Sequence, residues 1–153
     1  MALEASNRIP SDPDYLVCLG RATWVWAYYE SFVVDLIDRL KPGFKTEVAR
    51  SKRNYTAGTI RAELEKLVNS KSTDFTRISK TELLSVHDQL DTLIDRRNSL
   101  IHGRPIGGNI LAYQGNVDKP NPDVQWPAAA VDAFTEDVAN ERIRIDPIFE
   151  KLR

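Results

Sequence analysis

Four amphipathic stretches organise the chain. From Ser79 to Ile101, apolar residues recur at Leu83, Val86, Leu90, Leu93 and Leu100, in steps of three or four with one gap. That spacing keeps them on one helical face. Ser79-Lys80-Thr81-Glu82 opens the stretch as a capping box, serine at the cap and glutamate three residues on. Gly103 marks its end. The first stretch begins at Ser11 or Asp12, either of which can cap a helix, with Pro13 in the first turn. It runs to about Leu40, where Lys41-Pro42-Gly43 stops it. Its predicted inward stripe is Leu16, Leu19, Thr23, Trp26, Glu30, Val33, Ile37 and Leu40. A shorter helix over about Thr56 to Asn69 turns Ile60, Leu64, Leu67 and Val68 inward. The last begins near Pro127-Ala128 and turns Val131, Phe134, Val138, Ile145 and Ile148 or Phe149 inward. Pro147 is expected to kink or split it, because proline removes one helical hydrogen bond.

Residues 1–11 read as a flexible arm and 12–153 as one helical domain. Residues 103–127 lack helical patterning and are punctuated by Gly103, Gly107, Gly108 and Gly115 and by Pro105, Pro120, Pro122 and Pro127. Asn109 to Tyr113 reads as a short strand, in a small hairpin with its neighbours. Trp126 is expected to fold back onto the helices. The pattern predicts an all-α, up-and-down four-helix bundle with a Gly/Pro-rich excursion between its third and fourth helices.

Composition narrows the functional classes. A formal charge of -1 gives no global attraction to nucleic acid or membrane, so any such binding needs a local patch. The single cysteine, Cys18, lies among apolar neighbours and reads as a small core residue. One cysteine and two histidines offer no ligand set for a metal. No apolar run approaches the roughly 20 residues that span a bilayer, and Met1 to Asp14 lacks a signal core. A cytoplasmic protein is the expectation.

Positive charge concentrates in residues 41–55, read as a linker carrying Lys41, Lys45, Arg50, Lys52 and Arg53 against one acid, Glu47. A solvated loop and a phosphate-contacting loop both fit. Tyr55 beside it could stack on a base, though membership of a solvated loop is the plainer reading. Thr56-Ala57-Gly58-Thr59 lacks the second glycine and the lysine of a phosphate-binding P-loop.

The sharper clue is charge inside the apolar stripes. Arg97 fills the gap between Leu93 and Leu100, and a guanidinium is rarely buried without a partner. Glu30 interrupts the first helix in the same way. Glu30 is either turned to the core's edge or paired with Arg97. Five residues beyond Arg97, His102 stands at the helix end. On an ideal helix the two are offset by roughly 140°. They converge only if His102 has left the helix or Arg97 reaches round it. Asn98 and His102, four apart, share a face. His87 lies on that line too, and a surface histidine is the better reading of it. Arg96 and Ser99 read as flanking surface residues.

Arg97-Asn98-Ser99-Leu100-Ile101-His102 resembles the Arg-x(4–6)-His signature of HEPN domains, including the asparagine that often follows the arginine. The aromatic first helix with Glu30, the Thr-Ala-Gly-Thr opening of the second helix and the Gly-rich excursion are similar to a bacterial branch of that superfamily. The likeness covers about Tyr15 to Leu152. It implies an all-α homodimer that cleaves RNA without a metal or other cofactor, by attack of a ribose 2′-hydroxyl that leaves a 2′,3′-cyclic phosphate. Carried over, Arg97 holds the phosphate, Asn98 orients it or the histidine, and His102 is general acid or base. Glu30 supports Arg97. Lys45, Arg50, Lys52, Arg53 and Arg104 are the expected RNA-contacting cations. The chemistry of these residue types agrees, since a forked guanidinium suits phosphate oxygens and imidazole titrates near neutrality. The resemblance further implies a stand-alone toxin or defence effector controlled by a separately encoded antitoxin. The alternative is a HEPN-like module that has lost catalysis and binds a nucleotide or protein. A core arginine that merely holds helices in register also remains open.

Overall fold

In the computed structural model, residues 12–51, 55–106, 110–113 and 124–153 are described. The described residues are mostly helical and carry a small antiparallel sheet. In chain order they form α1 (Pro13–Leu40), α2 (Phe44–Arg50), α3 (Ala57–Asn69), α4 (Lys80–Ile101), β1 (Arg104–Ile106), β2 (Ile110–Tyr113), β3 (Val124–Trp126) and α5 (Ala128–Glu150). The predicted arm lies outside the described residues.

The helix starts follow their caps. Asp12 accepts from the backbone of Asp14 and Tyr15, and Pro13 opens α1. Ser79 and Glu82 close the predicted capping box on α4. Thr56 and Thr59 do the same for α3. The segment read as a basic linker contains α2 instead. Gly43, at φ +97°, turns the chain where a side chain would be strained. Asp38 then accepts from the backbone N–H of Gly43 and of Lys45, and Phe44 is fully buried. An aromatic anchor and a borrowed cap make a helix of a stretch whose charges read as a loop.

The stripes of α3 and α4 are buried as predicted, Arg97 excepted. On α1 the inward face is rotated. Tyr15, Cys18, Ala22, Trp26, Tyr29, Val33, Leu36 and Ile37 are buried, while Leu16 and Thr23 are exposed and Glu30 sits at the edge. Two faces of α1 carry apolar residues, and Val17, Trp24 and Tyr28 occupy the solvent side. Spacing alone did not separate them.

α1 packs chiefly on α5, and α4 packs on both α3 and α5. α5 stays continuous through Pro147, against expectation. Pro147 is exposed and lies near the helix end, so the carbonyl it leaves unpaired reaches water. No described helix is long and apolar enough to cross a membrane.

The excursion folds as a three-stranded sheet in the order β1-β2-β3, larger than the predicted hairpin. Leu111 faces Pro105 on one side and Trp126 on the other. Tyr15 of α1 pins the sheet: its hydroxyl donates to the Trp126 carbonyl at 2.6 Å and accepts from the Leu111 N–H at 3.2 Å. Trp126 is buried, as predicted, and its indole N–H donates to Ser99 Oγ at 3.0 Å. Gly103 allows the close approach of strand and helix. A Cβ there would lie 3.1 Å from both the Leu100 carbonyl oxygen and Leu111 Cβ.

Candidate active site

The last third of α4 runs between two cavities. One, of about 290 Å³, is lined by Leu19, Ala22, Thr23, Trp26, Arg97, Leu100, Ile101, Leu111 and Phe134. The other, of about 470 Å³, is lined by Asp95, Arg96, Asn98, Ser99, Tyr113, Val124 and Trp126. Consecutive residues on a helix point about 100° apart, so Arg97 and Asn98 open onto different sides of the same ridge. Their side chains meet over it: Arg97 Nη1 donates to Asn98 Oδ1 at 3.2 Å.

Arg97 is half-buried, with its guanidinium carbon 5.7 Å from the Trp26 ring centroid, within reach of a cation–π attraction. Trp26 in turn lies nearly parallel to Phe134, ring centroids 6.3 Å apart, and the Trp126 edge meets Phe134 at 5.9 Å. These three rings are almost fully buried; Trp26 and Phe134 line the first cavity and Trp126 the second. The predicted Glu30–Arg97 ion pair is not formed. Glu30 accepts from the Trp26 indole N–H at 3.1 Å instead. The two charges therefore meet opposite parts of one indole, glutamate on its N–H and arginine on its face. The i, i+4 spacing of Trp26 and Glu30 on α1 explains the capture, because the indole is the nearer partner. Trp26 was legible as an inward residue but not as the link between the two charges.

His102 is the C-cap of α4, one residue past its end. Its side chain is exposed and lines neither cavity. Its backbone N–H donates to the Asn98 carbonyl at 3.0 Å, but among the described residues no hydrogen bond joins its imidazole to Arg97 or Asn98. Arg97 and Asn98 are thus brought together, and His102 stands beside them at the rim in solvent. Arg96 and Ser99 are half-buried rather than surface residues: Arg96 pairs with Asp137 at 2.7 Å and lies over Phe134, and Ser99 accepts from Trp126.

Among the described residues, the predicted basic contacts do not gather at this site. Lys45 pairs with Asp35 at 2.7 Å, and that hydrogen-bonded carboxylate raises its pKa. Arg50 is exposed in the last turn of α2, and Arg104 is exposed in β1. Lys52 and Arg53 lie outside the described residues. Lys41 is drawn to Glu63 at 2.9 Å, and Tyr55 donates to Glu47 and packs its edge against Phe44. Two of the segment's cations, Lys41 and Lys45, thereby meet carboxylates of the same domain. His87 contacts Asp88 on α4, away from both cavities.

A second inward charge was not anticipated. Glu141 of α5, 7% exposed, receives two bonds of 2.7 Å from Arg144, which also donates to Ser85 Oγ and to the Ser85 carbonyl of α4. The signal was available, since Glu141 fills the gap between Val138 and Ile145 as Arg97 fills that between Leu93 and Leu100. No group of three or more potential metal ligands occurs among the described residues. No family model, curated protein or solved structure matches this chain.

Proposed function

We propose that the chain is a metal-independent endoribonuclease of HEPN type, acting as a homodimer. In this reading α1, α3, α4 and α5 are the four helices of the up-and-down bundle. Arg97 binds the scissile phosphate and offsets charge building on its oxygens, and Asn98 fixes the guanidinium through its side-chain carbonyl. The 2′-oxygen bonds to phosphorus while the bond to the 5′-oxygen breaks. The proton leaves the 2′-hydroxyl for a base, and the 5′-oxygen takes up another. One imidazole cannot do both in a single step. A second copy, seated against the exposed Ile101 at the cavity wall, would bring a second His102 to the cleft. A separately encoded antitoxin would act by covering that cleft.

The observation that carries the reading is Arg97. It is held half-buried over Trp26, tied to Asn98, and opens on a cavity at the helix end that bears His102. Incubation of the protein with RNA in the presence of chelator tests it. Cleavage should yield 2′,3′-cyclic phosphate ends, and Arg97→Ala or His102→Ala should lower the rate by about 10²- to 10³-fold. RNA left intact across varied substrates would overturn it.

The solvent-facing position of His102 favours a second reading, a nucleotide- or protein-binding module without catalysis. The two separate on His102→Ala. A module keeps its RNA affinity in that variant and never had a cleavage rate to lose.

A further inference from the structure

We infer that the cavity beneath Arg97 takes a single nucleobase from an unpaired RNA strand. This rests on the ribonuclease reading for its ligand class, although its test does not need cleavage. The cavity has a floor of fixed aromatic rings, Trp26 on Phe134, and apolar walls from Leu111 and Ile101. One cationic side chain, Arg97, lines it. A bare phosphate would leave those walls wet. An aliphatic chain would leave the guanidinium facing hydrocarbon. A base answers both demands, because it has an apolar face and its edge carries acceptors for a guanidinium fork.

Size sharpens the choice. About 290 Å³ lies at the foot of the range for small-molecule sites, suiting one ring system rather than a pair. A base inside a duplex is stacked on both faces and cannot enter, so the strand must be single or looped there. The site is also prepared in advance. The indole of Trp26 is fixed by Glu30, and the guanidinium is fixed by Trp26 and Asn98, so little freedom is lost on binding. A base seated here would set the register of the strand, placing its own phosphate at Arg97. Cleavage preference then follows from which base the cavity accepts.

Thr23 gives access to the test. It is exposed, lines the cavity, and among the described residues its hydroxyl bonds only to Leu19 of its own helix, at 2.9 Å. Thr23→Phe should close the mouth without removing a tertiary bond. Ser31→Phe, also exposed on α1 but outside the cavity, is the control. The full chain is titrated with the four ribonucleosides and their 3′-monophosphates, following the indole N–H resonances by NMR. The Trp26 resonance should move and saturate, while that of Trp24, 77% exposed, stays in place. Inorganic phosphate, which can meet Arg97 but cannot fill the cavity, should move Trp26 less than the nucleosides do at equal concentration. Thr23→Phe should weaken nucleoside binding by roughly tenfold or more, with Ser31→Phe unchanged. A Trp26 resonance indifferent to every nucleoside overturns the proposal, as does Thr23→Phe binding as well as wild type. Nucleoside binding with RNA left intact would sink the nuclease and keep the cavity. Cleavage with an unaltered base preference in Thr23→Phe would do the reverse.

Discussion

Arg97 of α4 and Glu141 of α5 break their apolar stripes in the same way, yet the fold treats them oppositely. Glu141 meets its counter-charge at once, through two short bonds from Arg144, which goes on to tie α5 to Ser85 of α4. A groove of about 270 Å³ lies beside this pair, but its charges are matched, Arg144 to Glu141 and Arg96 to Asp137. Burial has its cost even here: the Tyr29 hydroxyl is buried with no partner among the described residues, and desolvation, with Glu141 nearby, pushes its pKa up. Arg97 instead receives an indole face, a neutral amide and an open cavity. Among the described residues no carboxylate lies within ion-pair distance of it. A charge inside a stripe is therefore not by itself a sign of function. What separates the two is whether the fold supplies the opposite charge and whether it leaves room for a ligand to do so.

The largest effect that could break this contrast is on RNA cleavage. Arg97→Ala should cost about 3–4 kcal/mol of transition-state stabilisation, the range seen when a preorganised electrostatic donor is removed. Arg144→Ala should leave the single-turnover rate of the folded protein within about twofold of wild type. If the two variants lose activity equally, Arg97 has no special standing.

Stability should show the reverse order. Glu141→Ala strands Arg144 and should destabilise the fold by about 2 kcal/mol. That is below the usual cost for breaking a buried pair, because the Arg144 side chain is 41% exposed and water can partly replace the carboxylate. Arg97→Met, which swaps a half-buried cation for an apolar chain of similar length, should stay within about 0.5 kcal/mol of wild type or gain slightly. Urea denaturation of both variants decides it. A loss at Arg97→Met as large as at Glu141→Ala would mean that the Arg97 interactions are structural after all.

A smaller effect probes the wall of the cavity rather than its charge. In Gly103→Ala the added methyl meets a backbone oxygen and Leu111 Cβ at 3.1 Å, and the carbonyl cannot rotate away. We expect about 1–2 kcal/mol of destabilisation, concentrated where β2 meets α4. Hydrogen exchange should report it as faster exchange at the Leu111 N–H, with the N-terminal half of α4 unaffected.

The sequence disclosed most where one local rule acted alone. The caps of α1 and α4 and the stripes of α3 and α4 were legible because each depends on residues close in the chain, and the return of Trp126 because a large apolar ring needs burial. α2 was missed because its start depends on Asp38 reaching across a turn, which charge patterning does not reveal. The inward face of α1 was misjudged because Leu16 and Thr23 fit the inward spacing yet lie on the exposed side. At the site, the motif pointed to Arg97, Asn98 and His102, but it could not tell that Trp26 would intercept Glu30. Nor did it flag Glu141, although the rule that drew attention to Arg97 applied there unchanged. A charge-filled gap identifies an inward charge and is silent about its partner, which is on the same helix for Glu141 and across on α1 for the indole under Arg97.

The smallest test sets the buried pair against an exposed one. Glu82 caps α4 through the Ser79 N–H and meets Lys151 near the end of the chain. Lys151's ammonium, followed by the Ser79 N–H, holds the Glu82 carboxyl below its ordinary value of 4.5. A carboxyl whose pKa is depressed by folding stabilises the native state only while ionised. Its contribution is full above about pH 4.5 and disappears as pH falls through the lower folded value. Both partners reach water, so the contribution at pH 7 should be a few tenths of a kcal/mol, against about 2 kcal/mol for Glu141. Urea melts of wild type and Glu82→Gln between pH 3 and pH 7 should show curves that lie slightly apart at the neutral end and close toward the acid end. A gap that persists at pH 3 would assign the Glu82 effect to its hydrogen-bond geometry rather than its charge. The contrast between a lysine-held carboxylate at the surface and an arginine-held one in the core would then rest on Glu141 alone.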